Sequence, residues 1–236
     1  YTVFATALGV LMLFSRTGHN SPRAETNEQI RLTDFIIILK EPSIWLLCII
    51  LTAVWHIFWA TIEFPSFAET GGFVMPLAAA TALATTKVWM RPFGGVLAGM
   101  LGDRITNVKL MIWLLGAGIV CCLFLATMET APESAWILWV LIFPFGLIAY
   151  GLRGILWALL YVCPIPVRTL GTAIGFISIM GYSGDIYIPL VSAWLQTNHP
   201  TGTAYQFFFA YVATVTAIGL IAAWLLGKIS RPSLVE

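Results

Sequence analysis

Apolar residues occur along this chain in long runs that are separated by short polar segments. A membrane-spanning helix needs about 20 predominantly apolar residues. Runs long enough for such a helix lie at 44–64, 73–101, 110–128, 135–163, 170–195 and 204–226. A shorter run at 1–14 has the composition of the end of a further span. No strand-like alternation of polar and apolar residues recurs, so the pattern predicts an all-α membrane protein with six spanning helices in one bundle.

The segment 15–41 separates the short first run from the others. Its first half is polar and is typical of a linker, whereas its second half, IRLTDFIIILKEP, predicts a short helix with Asp34 as a candidate N-cap. That helix is either an ordinary connector or lies on the membrane surface. Pro42 follows and suits the first turn of the next helix.

Composition supports a location in the bilayer. Hydrophobic residues make up 59% of the chain and charged residues 10%, and the mean hydropathy is +0.90. Soluble domains carry about 25% charged residues. The net charge of +1 gives no electrostatic basis for binding nucleic acid. The four cysteines lie in apolar runs without zinc-type spacing, so we interpret them as core residues and expect no metal or cofactor.

The loops between the runs differ in charge, and successive loops should lie on opposite sides of the membrane. One set of loops carries the basic residues, namely Arg16, Arg23, Arg31, Lys40, Arg104, Lys109, Arg168, Lys228 and Arg231. The opposite loops carry Glu63, Glu69, Glu129, Glu133 and His199 without lysine or arginine. The positive-inside rule therefore places the 15–41 segment and the C-terminus in the cytoplasm.

The stretch GGVLAGMLGDRITNVK (94–109) has a glycine-rich helix end, then Asp-Arg, then a basic residue. It resembles the loop motif of the major facilitator superfamily. The resemblance implies that residues 1–14 end a helix 6, 15–41 form the central linker, and 42–236 form the C-terminal six-helix half of a twelve-helix transporter. Most of the N-terminal half is then absent from this chain. The match departs at Thr106 and Asn107, where the family usually has Gly and Arg.

The resemblance also implies a role for the motif. In the family, the second-half motif latches onto the first half and steadies the outward-open state, which assigns gating to Gly95, Gly99, Asp103 and Arg104. Glycines allow a neighbouring helix to approach closely, and an aspartate can cap a helix N-terminus. The alternative is a solvated loop that only carries charge.

Ionisable residues within the predicted spans are candidates for the transport site, because burying one at mid-span costs about 2.5–3.5 kcal/mol. Lys87 and Arg91 are four residues apart and should share a helix face. Arg153 is a third cation, with a binding role or a structural ion pair as alternatives. Asp185 is a proton carrier, a cation ligand or the partner of Lys87 or Arg91. His56 is a satisfied core residue or a proton carrier, and nearby aromatic residues could stack on substrate: Trp55, Phe58, Trp59 and Tyr182.

Three intramembrane cations against one acid favour an anionic solute. The stretches around Arg91, Arg153 and GYSGDIYIP resemble the nitrate/nitrite-transporter-like and organic-anion branches of the superfamily. We therefore expect a proton-coupled symporter of an organic anion in a bacterial inner membrane, and not an enzyme. A neutral sugar or drug remains an alternative solute, and a six-helix channel an alternative class. GYSG also resembles a rhomboid protease motif, but His199, the one later histidine, lies in a loop.

Overall fold

The computed structural model describes residues 32–166 and 169–229, which form helices and no strands. The predicted partial span at 1–14, most of the 15–41 linker, Arg168 and Arg231 lie outside these residues. Short 3-10 segments lie at Pro132–Ser134, before the helix Ala135–Ile155, and at Leu156–Val162, directly after it. The α-helices are α1 Leu32–Lys40, α2 Pro42–Thr70, α3 Leu77–Ile105, α4 Asn107–Thr127, α5 Ala135–Ile155, α6 Leu170–Tyr182, α7 Gly184–Asn198 and α8 Thr201–Ile229.

The predicted all-α membrane fold is confirmed. Among the described residues, five helical stretches are long and apolar enough to cross a membrane: Pro42–Thr70, Asn107–Thr127, Pro132–Val162, Leu170–Asn198 and Thr201–Ile229. The remaining predicted span corresponds to α3, whose 29 residues measure roughly 43 Å. It is less apolar because it carries two intramembrane cations and the charged end of the glycine-rich motif.

Several predicted boundaries are wrong by a few residues, for local reasons. Phe73 lies before α3, which begins only after Pro76. α2 continues past Phe64 to Thr70, with Pro65 inside the helix. The predicted 170–195 span is interrupted at Ser183, next to Gly184. Asp34 lies inside α1, so the N-cap interpretation of this residue is wrong.

α2 is the central helix of the bundle and packs against most of the others. It is apolar on all sides, as expected for a helix buried in a membrane bundle. It begins at Pro42, and the preceding Glu41 side chain accepts hydrogen bonds from the backbone N–H and the hydroxyl of Ser43. α8 approaches α2 so closely that a Cβ at Gly219 would overlap Ala53. Small residues at such contacts let two helices gain close van der Waals packing in lipid.

α3 and α5 form one of the most extensive helix pairs, and glycines on both helices line the contact. A Cβ at Gly94 would lie 2.9 Å from the Tyr150 Cβ, and one at Gly154 would lie 3.3 Å from the Cα of Gly95. The two backbones can approach this closely because no side chain stands between them. This packing positions Arg91 and Arg153, which lie on these two helices.

The ends of the bundle differ in charge among the described residues. Arg104 lies at the end of α3, and Glu129 follows α4 at its far end. α4 separates them by roughly 30 Å, since it has 21 residues. Contacts of Gly202 with Gly71 and Thr130 tie together the loops of the Glu129 end.

Candidate functional site

Aromatic and charged side chains from four elements meet on one side of α2. We call this group the Trp55 cluster: Trp55, Phe58, Trp59, Arg153, Tyr182 and Asp185. Trp55 and Trp59 are one turn apart on α2, so they project from the same face of the helix. Arg153 comes from α5, Tyr182 from the end of α6 and Asp185 from the first turn of α7. The structure thus brings together two of the predicted charged residues and all four of the predicted stacking residues.

Asp185 is held by tryptophan. The indole N–H groups of Trp55 and Trp59 donate to its Oδ1 at 2.6 and 2.7 Å. Within the described part of the chain, these are the hydrogen bonds that the carboxylate accepts, so the Oδ2 atom remains available for a proton or a ligand. The Asp185 side chain is exposed. Pro189, four residues later, has no N–H to donate to the Asp185 carbonyl, which leaves a second acceptor at this point of α7.

Arg153 is held by aromatic faces. Its guanidinium carbon lies 4.4 Å from the centroid of the Phe58 ring and 5.0 Å from that of Trp55. Such cation–π contacts stabilise the cation and leave the N–H groups at its edge free to bind. Among residues 32–166 and 169–229, Arg153 forms no ion pair with a carboxylate. Trp55 therefore contacts both charges, with its ring face on Arg153 and its N–H on Asp185.

Lys87 and Arg91 lie one turn apart on α3 but differ in burial. Lys87 is 8% exposed and lies inside the bundle. Its ammonium donates to the backbone carbonyl of Thr61 at 3.2 Å and lies 5.7 Å from the centroid of the Phe58 ring. Pro65 has no N–H to donate to the Thr61 carbonyl, so Lys87 supplies the donor that α2 lacks there.

Arg91 is exposed on α3. Arg91 and Arg153 both interact electrostatically with Tyr150 of α5. Tyr150 packs against Phe58 with ring centroids 6.2 Å apart, which connects it to the Trp55 cluster. Tyr150 was not among the candidates from the sequence, where it was one aromatic residue in an apolar run.

His56 lies on α2 beside the cluster and is buried. Its Nδ1 lies 2.7 Å from the Thr52 carbonyl and its Nε2 lies 2.9 Å from the Tyr211 hydroxyl. A carbonyl oxygen only accepts, so Nδ1 carries a hydrogen, and in the neutral ring Tyr211 donates to Nε2. The neutral ring is therefore fully hydrogen-bonded within the bundle, and Tyr187 packs against it. The spacing along the sequence gave no indication of these tyrosine partners.

The glycine-rich motif lies at the end of α3, where one of its glycines faces α5 and others face open space. Gly94 packs against α5, whereas a Cβ at Gly95 or Gly99 would meet nothing within 4 Å. Asp103 and Arg104 are exposed in the last turn. Thr106, where the family usually has Gly, has a φ of 70°. Glycine adopts this conformation without strain, and a β-branched residue does so at a cost.

The protease-like arrangement is not formed. Ser183 donates its hydroxyl to the Met180 carbonyl at 2.6 Å. His199 follows the end of α7 and contacts the rings of Trp194 and Phe207. α7 separates the two residues, so the histidine lies too far from Ser183 to act as its base.

Comparisons with known proteins agree with this architecture. The sequence model of the Major Facilitator Superfamily matches residues 1–189. The chain belongs to this superfamily of membrane transporters and is an integral membrane protein. It is similar to inner membrane protein YqcE of Escherichia coli (strain K12), with 25% identity over 235 residues. The match covers 94% of this chain and 53% of the relative, so the chain spans about half the length of that protein.

Proposed function

We propose that this chain is the C-terminal half of a secondary active transporter that moves a small organic anion by alternating access, coupled to protons. Membership of the superfamily supports transport, and the Trp55 cluster supports the nature of the solute. The other half would supply the opposite wall of the site. The full-length protein would lie in a bacterial inner membrane, with the 15–41 segment and the C-terminus in the cytoplasm, as the distribution of basic residues favours.

The observation that carries the anion proposal is the environment of Arg153. A guanidinium inside a membrane protein needs compensation for its lost hydration. In the described residues, Arg153 has aromatic rings as partners and no carboxylate. Its free N–H edge suits a carboxylate or phosphate, which it can bind through two parallel hydrogen bonds. Arg91, which is exposed on α3, would provide a second contact to the same anion or its path.

Asp185 is the proposed proton carrier. Both indole N–H groups bond to Oδ1, which can accept them whether or not Oδ2 carries a proton. The carboxyl group can therefore change protonation without leaving its position. Trp55 contacts both this carboxyl group and Arg153. A change of charge at Asp185 would therefore change the electrostatic environment in which Arg153 binds the anion. His56 is the second candidate, since protonation of Nε2 would require only that the Tyr211 hydroxyl turn.

A neutral sugar is the competing solute. Aromatic faces and a carboxylate such as Asp185 also suit a molecule with many hydroxyl groups. Arg153 would then serve only to balance the charge of Asp185 within the cluster.

Transport measurements with the full-length protein in proteoliposomes distinguish these solutes. Gluconate, glucuronate and succinate would be offered beside glucose, with and without an inward proton gradient. We expect uptake of at least one of the anions, accelerated by the gradient, and no uptake of glucose. Uptake of glucose alone would overturn the anion proposal. The same proton-driven uptake by liposomes without protein would show that the assay does not measure this protein.

A further inference from the structure

A cavity separate from the Trp55 cluster lies at the end of the bundle opposite Glu129. It has a volume of about 790 Å³ and lies between the start of α4, the end of the 3-10 segment Leu156–Val162 and the end of α8. Its lining includes Val108, Lys109, Val162, Trp224 and Lys228. Among the described residues that line it, the two lysines are the charged ones, and no carboxylate is among them.

The exposed side of α8 continues this cavity along the bundle. Lys228 lies one turn after Trp224, and its ammonium is 3.6 Å from the centroid of the indole ring. Trp224 is about half exposed, and so is Ile221 one turn earlier. An apolar residue, a tryptophan and a lysine thus follow one another toward the helix end. This is the order of environments that a lipid meets from its acyl chain to its headgroup, and tryptophan prefers the boundary between them.

We propose that this cavity binds the phosphate headgroup of an anionic membrane lipid, with the acyl chains lying along α8 beside Ile221. Lys109 and Lys228 would contact the phosphate, and Trp224 would pack against the glycerol region. Basic pockets between spanning helices are suited to such headgroups. A free phosphate ion would satisfy the lysines equally well, but it would make no use of the apolar surface at Ile221. The site is separate from the Trp55 cluster and does not depend on what the protein transports.

The proposal is tested by lipid binding to the purified full-length protein. Delipidated protein in neutral detergent is titrated with dioleoyl-phosphatidylglycerol or dioleoyl-phosphatidylcholine, and retained lipid is counted by native mass spectrometry. We expect preferential retention of phosphatidylglycerol. Lys109→Gln and Lys228→Gln should each weaken it about fivefold, the effect of removing one cation near an anionic headgroup. Lys40→Gln, at an exposed lysine of α1 outside the cavity, is the matched control and should have no effect.

Two further measurements distinguish a bound lipid from a free phosphate ion. Ile221→Ser should weaken retention of phosphatidylglycerol although it leaves both lysines in place. Inorganic phosphate at matched concentration should not displace the lipid. If phosphate displaces it and Ile221→Ser retains lipid as the wild type does, the site binds phosphate and the lipid assignment is overturned. Equal retention of both lipids by the wild-type protein would overturn the proposal, and this comparison needs no variant to fold. An effect of Lys40→Gln equal to that of Lys228→Gln would overturn it as well.

Discussion

The charged residues of the bundle differ in what compensates each charge. Lys87 donates to a carbonyl left without its helical partner by Pro65, which is a structural role inside the bundle. Arg153 rests on aromatic rings, and Asp185 accepts two indole N–H groups. Arg91 is exposed. Arg153 and Asp185 therefore combine a fixed position with free hydrogen-bonding capacity, which is what a binding site requires.

Asp185→Asn should separate proton coupling from solute binding. The amide oxygen can still accept both indole N–H groups, but the side chain can no longer exchange a proton. We expect proton-driven accumulation to be lost while exchange of labelled for unlabelled solute across the membrane continues. Both are measured in proteoliposomes of the full-length protein.

The matched control for this variant is Glu129→Gln, which neutralises an exposed acid at the end of α4 and should leave accumulation unchanged. Accumulation that survives in Asp185→Asn but disappears in His56→Gln would contradict the assignment. Proton coupling would then belong to His56 and Tyr211.

The sequence predicts which charged residues lie in the membrane, but it does not predict their surroundings. The depth of Arg153 and Asp185 follows from their place in an apolar run, so both could be named as candidates. Their environment could not, because the partner tryptophans lie 126 and 130 residues from Asp185 along the chain. The spacing of Lys87 and Arg91 predicted one shared face but not that Lys87 is buried and Arg91 exposed, because residues four apart still differ in direction by about 40° around a helix. At the edge of a contact, that difference separates a buried side chain from an exposed one.

At the scale of helices, length and apolar composition were sufficient to predict the spans, whereas their ends depend on local chemistry. α3 begins after Pro76, whereas α2 continues through Pro65, where Lys87 donates to the carbonyl that lacks its helical partner. The break at Ser183 falls beside Gly184, inside a run that its composition predicted as one span. Which glycine of the motif faces which neighbour could not be predicted, since it depends on the rotation of α3 against α5.

Two glycines of α3 provide a test of this rotation. Gly94→Ala would place a Cβ 2.9 Å from the Tyr150 Cβ and 3.0 Å from the Leu147 carbonyl oxygen, so the helices must move apart. We expect destabilisation of about 1–3 kcal/mol, typical of overpacking. The measurement is the unfolding temperature of the full-length protein in detergent.

Gly99→Ala is the matched control, because a Cβ there would meet nothing within 4 Å of this chain. Its unfolding temperature should be unchanged or slightly higher, since alanine favours helix. A fall equal to that of Gly94→Ala would contradict the described orientation of α3. Loss of transport in Gly99→Ala at unchanged stability would support the proposed contact of this face with the other half.

At the scale of the whole molecule, the chain is proposed to work only with a second half, and the motif of α3 is the proposed latch between them. Asp103 is exposed and close to Gly99, which is open on the same helix. A carboxylate that caps a helix N-terminus contributes about 0.3–1 kcal/mol when exposed. An energy of this size is enough to shift a balance between two conformations several-fold.

Asp103→Asn should therefore change gating without changing recognition. We expect a shift away from the outward-open state, measured as reduced labelling of a cysteine introduced on the outer side of the full-length protein. The preference among solutes should be unchanged. A changed order of preference would show that Asp103 acts in the binding site, and an unchanged labelling rate would contradict the latch.

Recognition of an anionic solute by the Arg153 guanidinium is tested by the variant Arg153→Lys. Lysine keeps the charge but loses the planar group that stacks on Trp55 and Phe58 and binds a carboxylate through two bonds. Arg91→Lys tests the second contact, and Arg231→Lys, after the last predicted span, is the control. The measurement is initial uptake of the transported anion by the full-length protein, normalised to its amount in the membrane. We expect a loss of at least about tenfold for Arg153→Lys, a smaller loss for Arg91→Lys and none for Arg231→Lys. Native rate and apparent affinity in both Arg153→Lys and Arg91→Lys would contradict anion recognition and favour a neutral solute.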